Sequence, residues 1–219
     1  MVVMPSGSDW KPILTEKVEI KNILRGLFDP VVSLLSYTRI SPMAVTLFGI
    51  LLSFVGAPFV AFGWLPTGAV ILIFSGICDI IDGALARNRE RVSVFGAFID
   101  STGDRLTELA YFIALVFYYL GRSPVSRLAI LFVLAALAGS LMTSYARARA
   151  EGLGMECRVG FLERPERVTL LVLGLILGHV MLTVILLILA VLSIYTFIQR
   201  VLHVRKLAID DDIGEFPGS

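Results

Sequence analysis

Residues 66–104 read PTGAVILIFSGICDIIDGALARNRERVSVFGAFIDSTGD. The run opens as an apolar segment of the length a bilayer demands, about 20 residues. It then meets two acids, Asp79 and Asp82, and three bases, Arg87, Arg89 and Arg91. A second apolar segment follows, with Asp100 and Asp104 near its start. Acids are costly inside a membrane segment and need a purpose. The stretch therefore predicts two membrane helices joined by a short basic loop, with four carboxylates at the shared end.

The rest of the chain agrees with a membrane setting. Of its 219 residues, 57% are hydrophobic and 17% charged. A soluble domain has roughly 45–50% and about 25%. Mean hydropathy is +0.85. These figures argue against a soluble fold, a disordered chain and a nucleic-acid partner. The net charge of +1 says nothing about partners by itself. Cys78 and Cys157 fall at or near the side assigned below to the cytoplasm, so no disulfide framework is expected. Residues 1–30 mix acids and bases without an apolar core, unlike a signal peptide.

The expected fold is all-α: a polytopic membrane protein with six transmembrane helices and an N-terminal amphipathic interfacial helix. Residues 1–12 read as a flexible start. Residues 13–38 carry apolar positions at near-helical spacing with Lys and Glu between them. They read as a helix lying on the membrane surface, or as a surface helix of a soluble cap. Residues 39–206 form the membrane domain, with spans at about 42–63, 66–88, 95–120, 125–150, 165–179 and 181–204. Ser41-Pro42 opens the first span as an N-cap and first-turn proline. Residues 207–219 read as an acidic, flexible tail. Gly174 and Gly178 form a G-x-x-x-G pair that permits close helix packing. Arg and Lys crowd both termini and alternate loops, whereas the opposite loops hold only Arg122 and Arg127. The positive-inside rule then places both termini and the acids on the cytoplasmic side of the cell membrane.

Asp79 and Asp82 are three residues apart on one helix, and Asp100 and Asp104 four apart on the next. Each pair shares a face. Antiparallel helices would bring all four carboxylates together. Such a cluster repels itself unless cations neutralise it, and hard oxygen ligands suit Mg2+ or Mn2+. Two such ions can clamp a phosphate and activate an attacking oxygen. The alternative is a set of salt bridges to Arg87 and Arg105. Gly83 and Gly96 leave room for a bulky ligand, and Arg87 can hold a phosphate bidentately.

Taken together, residues 79–104 follow D-x2-D-G-x2-A-R-x8-G-x3-D-x3-D at every fixed position. The pattern resembles the signature of the CDP-alcohol phosphatidyltransferase family, whose six-span layout also fits residues 35–205. The resemblance implies two metal ions, Mg2+ or Mn2+. Asp79, Asp82 and Asp100 would hold the first, and Asp100 and Asp104 the second. Asp104 would be the general base. The acceptor oxygen would attack the β-phosphorus of a CDP-lipid, and CMP would leave. Ser41, Pro42, Thr46, Asp82, Gly83, Ala86, Arg87, Ser93 and Gly96 would cradle the CDP-lipid. A homodimer is also implied.

A second polar cluster bears on the acceptor. The fourth span ends Ser144-Tyr145-Ala146-Arg147-Ala148-Arg149-Ala150-Glu151, and Gly160-Phe161-Leu162-Glu163-Arg164-Pro165-Glu166-Arg167 opens the fifth. Arg200 lies near the cytoplasmic end of the sixth. Such arginines attract an anionic acceptor, or they simply obey the positive-inside rule. The stretch resembles the family branch that makes phosphatidylinositol phosphate and its archaeal, CDP-archaeol-using counterpart. That resemblance implies CDP-diacylglycerol or CDP-archaeol as donor and inositol phosphate as acceptor. Its phosphate would be held by Ser144, Arg147, Pro165, Arg167 and Arg200, with Arg149 and Glu163 in support. Glycerol phosphate, serine or another small alcohol is the alternative acceptor. A cation-coupled transporter and a scaffold that has lost catalysis are the readings from other classes.

Overall fold

The computed structural model describes residues 40–88 and 93–211. The N-terminal segments, Arg89 and Arg91, and the tail beyond residue 211 lie outside the described residues. Among the described residues six helices follow one another: α1 (Pro42–Ala61), α2 (Leu65–Asn88), α3 (Val94–Leu120), α4 (Arg127–Gly152), α5 (Arg164–Leu177) and α6 (His179–Asp211). No strand occurs among the described residues.

Local chemistry sets the helix starts. Ser41, Ser93 and Ser126 each sit at an N-cap, and their hydroxyls accept from the N–H groups of Ala44, Gly96 and Ala129. Pro42 and Pro165 occupy first turns, where no N–H is needed. A single residue, Gly178, joins α5 to α6, and its φ of 87° is the left-handed conformation that favours glycine. The last helix runs past the sequence-derived boundary at residue 206 and continues to Asp211.

Four helices, α1, α2, α4 and α6, are long and apolar enough to cross a membrane. The third helix, α3, has the length but carries Asp100, Asp104, Arg105 and Glu108. The fifth, α5, has 14 residues, which span about 21 Å against a hydrocarbon core of roughly 30 Å.

α1 packs on α2 and α3, α4 packs on α6 and α3, and α5 lies between α2 and α6. The core is built from Tyr111, Leu115, Tyr119, Leu175, Leu182 and Leu186, all fully buried. Many large apolar residues instead face outward, among them Phe48, Phe74, Phe117, Leu131 and Val191. That pattern suits a protein surrounded by lipid.

Glycines let the helices approach. A Cβ on Gly56 would collide with the hydroxyl of Tyr111, so the missing side chain makes room for that ring. Tyr111 donates to the Gly68 carbonyl at 2.9 Å and so ties α3 to α2. A Cβ on Gly139 would meet the Ser193 Cβ at 2.9 Å and the Ile194 amide nitrogen at 3.2 Å, which marks the close α4–α6 crossing.

Candidate active site

The end of the bundle near Asp79 gathers the acids. One carboxylate oxygen from each of Asp79, Asp82 and Asp100 lies within 4.8 Å of the others. α2 supplies the first two and α3 the third. Asp82 is buried, and its Oδ2 has no hydrogen-bond partner. An orphaned, buried carboxylate oxygen inside a cluster of acids is the environment that a divalent cation satisfies. Three hard oxygen donors fit Mg2+ or Mn2+, so Asp79, Asp82 and Asp100 are the residues able to hold such an ion.

Asp104 lines the same cavity but stands outside that triplet. Its Oδ1 lies 2.5 Å from Nη2 of Arg164, whose Nη1 reaches Asp79 Oδ2 at 3.4 Å. The arginine beside the acids is therefore Arg164. Arg105 reaches Asp104 only at 3.8 Å and donates to the Ser101 carbonyl of its own helix. Arg87 is exposed and folds back over Gly83, where a Cβ would sit 3.3 Å from its Nη1. Of the two bases in the salt-bridge alternative, Arg105 thus pairs weakly with Asp104 of its own helix, while the pairs that cross between helices come from Arg164.

Of the nucleotide-cradle candidates, Thr46 and Asp82 line this cavity, and Ser41, Pro42, Gly83, Ala86, Arg87, Ser93 and Gly96 do not. Thr46 lines it, one turn into α1, and its hydroxyl donates to the Pro42 carbonyl. Ser41 and Ser93 are the caps of α1 and α3. A Cβ on Gly96 would sit 2.8 Å from the Ser93 hydroxyl, so glycine there preserves the cap. Gly83, Ala86 and Arg87 lie in the last turns of α2, beyond Asp82.

The arginine cluster divides into buried and open members. Arg167 is buried and donates through Nε to Glu108 Oε1 at 3.2 Å, through Nη1 to the Leu162 carbonyl at 3.3 Å and through Nη2 to Ser144 at 3.5 Å. Arg200 is also buried and donates to the carbonyls of Val159 and Thr143 at 2.9 and 2.7 Å. Backbone turns from the α4–α5 loop support it. Gly160, at φ 138°, packs on Thr196 and Arg200, and the Leu162 amide donates to the Thr196 hydroxyl. Arg147 is half-buried and pairs with Glu151 at 2.8 Å. Arg149 and Pro165 are exposed, and Glu163 is the N-cap of α5.

The sequence profile of the CDP-alcohol phosphatidyltransferase family matches residues 39–202. The chain belongs to that family. This phosphatidyltransferase is 37% identical over 192 residues to an archaetidylinositol phosphate synthase of Methanothermobacter thermautotrophicus, covering 85% of this chain and 92% of the relative. It is 35% identical over 174 residues to a phosphatidylinositol phosphate synthase of Mycolicibacterium smegmatis, covering 76% and 78%. Its fold is similar to that of Mycobacterium tuberculosis phosphatidylinositol phosphate synthase with CDP-DAG bound. The TM-score is 0.73 at 33% identity, over 80% of this chain and 92% of that one. A second structure of that enzyme, in complex with manganese and citrate, gives the same TM-score and identity over 80% and 87%.

Two residues of this phosphatidyltransferase's site stand outside the sequence-derived set, Arg164 and Glu108. Arg164 was legible only as loop charge. The signal available was Pro165, which marks a helix start and so places Arg164 in a first turn facing α2. Glu108 continues the four-residue step Asp100, Asp104, Glu108, and so shares their helix face.

Proposed function

We propose that this enzyme transfers a phosphatidyl-type group, diacyl or archaetidyl, from a CDP-lipid to a hydroxyl of inositol phosphate and releases CMP. The reading takes Asp79, Asp82, Asp100 and Asp104 as ligands of two Mg2+ or Mn2+ ions. When bound, such ions neutralise the phosphates and favour the oxyanion of the attacking hydroxyl. The chain's own residues do the rest. Asp104 takes the hydroxyl proton as the acceptor oxygen forms its bond to the β-phosphorus. The bond from that phosphorus to the bridging oxygen breaks, and the electron pair leaves with CMP. Arg87, with Gly83, Ala86 and Gly96, borders the nucleotide. Ser41, Pro42, Thr46 and Ser93 lie at the helix starts that face it.

The acceptor assignment rests on one observation. Two arginines, Arg167 and Arg200, are buried and each is fixed by protein oxygens, and Arg167 lines a cavity that also holds Asp104. A guanidinium carries five N–H donors, so the three anchors of Arg167 and the two of Arg200 can set each plane and still leave donors for a phosphate. Positive-inside topology alone asks for exposed arginines at a helix end and has no need to bury them. Ser144, Arg147, Arg149 and Pro165 complete the acceptor side in this reading. The relatives named for inositol phosphate products support it. The same reading places six spans in a cell membrane, with the site and both termini facing the cytoplasm, and a homodimer as the assembly.

The test is CMP release by the purified full chain with Mg2+, a CDP-lipid, and inositol 1-phosphate, glycerol 3-phosphate or serine added singly. Release that depends on inositol 1-phosphate is expected. Release with glycerol 3-phosphate or serine, and none with inositol 1-phosphate, overturns the acceptor assignment.

A further inference from the structure

Glu108 is an acid inside a membrane-protein bundle, yet it lies outside the metal cluster. Its side chain is 6% exposed and that of Arg167 5%. Burying this pair is costly, and such a pair persists only where its geometry is well satisfied. Here it is. Glu108 Oε1 accepts from Arg167 Nε at 3.2 Å and from the fully buried Ser140 hydroxyl at 2.5 Å. The opposite end of the same guanidinium meets the Leu162 carbonyl and Ser144. α3, α4 and the α4–α5 loop thus hold one arginine from three sides.

The placement of Glu108 adds a second observation. It stands one turn beyond Asp104 and two beyond Asp100 on the same face of α3. A cavity reaches from Asp104 and Arg164 to Glu108 and Arg167. One helix face therefore carries acids of the catalytic centre and the anchor of an arginine on the acceptor side.

We infer that Glu108 is a positioning residue: its carboxylate, steadied by Ser140, fixes the plane of Arg167 so that the acceptor phosphate docks in register with Asp104. The inference rests on the acceptor reading above. Glu108 touches neither substrate nor metal. It acts through Arg167, and its effect falls on the acceptor and leaves the CDP-lipid alone.

The test is steady-state kinetics of full-length protein with each substrate varied in turn. Glu108→Gln keeps the shape and an acceptor oxygen but removes the charge. It should raise the KM for the acceptor by about tenfold or more, with the KM for the CDP-lipid within about twofold. Ser140→Ala removes one hydroxyl from the same oxygen and should raise the acceptor KM severalfold. It also carries the test if Glu108→Gln does not fold. A lower kcat with both KM values unmoved marks a merely structural acid and overturns the inference. So does an equal rise in both KM values. Wild-type KM values for inositol 1-phosphate and glycerol 3-phosphate are measured first. If the wild type takes only glycerol 3-phosphate, the inositol assignment fails, while Glu108 is still judged on the KM of the acceptor actually used.

Discussion

Replacing Asp82 by Asn should make the metal-free protein more stable and the metal-loaded protein less so. Asp82 is 5% exposed, and its Oδ2 has no partner. Oxygens of Asp79 and Asp100 lie within 4.8 Å of its own. At that separation and an effective dielectric of about 20, two unit charges repel by about 3.5 kcal/mol. Two neighbours give about 7 kcal/mol for full charges at the full 4.8 Å. Arg164 offsets part of this through Asp79. A realised gain of about 1–2 kcal/mol for the Asn variant without metal corresponds to a rise of roughly 2–8 °C in Tm. With metal the order reverses. An ion at 100 times its Kd stabilises by about 2.7 kcal/mol, and a hundredfold weaker site retains only about 0.4 kcal/mol. Thermal unfolding in detergent, with EDTA and then with Mn2+, reads both effects. An Asn variant that melts below wild type in EDTA refutes the reasoning. One that keeps the wild-type rise with Mn2+ refutes it too.

Arg164→Gln should lower kcat by about 10–100-fold, because the guanidinium holds both Asp104 and Asp79; a kcat within twofold of wild type contradicts this. Gly139→Val should destabilise by about 2–3 kcal/mol, since its Cβ already meets the Ser193 Cβ and the Ile194 backbone; an unchanged Tm tells against the close α4–α6 crossing. Tyr111→Phe removes one buried hydrogen bond to Gly68 and should cost about 1 kcal/mol in unfolding experiments. Burial pushes the Cys157 thiol above its ordinary pKa, although Arg200 pulls the other way. A higher pKa means less thiolate at neutral pH. In a Cys78→Ser background, maleimide labelling of folded protein should therefore be slower than that of unfolded protein by about tenfold or more, and equal rates contradict it.

Much of the site could be read from spacing. Three- and four-residue steps put Asp79 with Asp82, and Asp100 with Asp104, on common helix faces, and α2 and α3 bring three of the four within one cluster. The partner of Asp104 was not legible in the same way. Arg164 is 60 residues distant in sequence, and only the docking of α5 on α2 brings it to the acids. Loop charge at that end hid it, because the positive-inside rule alone accounts for arginines there. Ser93 illustrates another limit. Its spacing from Gly96 matches a ligand cradle and a helix cap equally, and the hydroxyl makes the cap. Helix existence was readable from apolar runs. Helix crossings were not, because they depend on pairs such as Gly56 with Tyr111 and Gly139 with Ser193, which periodicity does not link.

The proposed transfer gives a lipid that carries a phosphorylated inositol. It is tested most directly by mass spectrometry of the lipid formed from a CDP-lipid and inositol 1-phosphate with Mg2+. One lipid bearing a phosphoinositol phosphate headgroup is expected for each CMP released, and neither product after chelation of the metal or with Asp104→Asn. CMP released with no inositol in the lipid contradicts it, as does full turnover in the chelated enzyme.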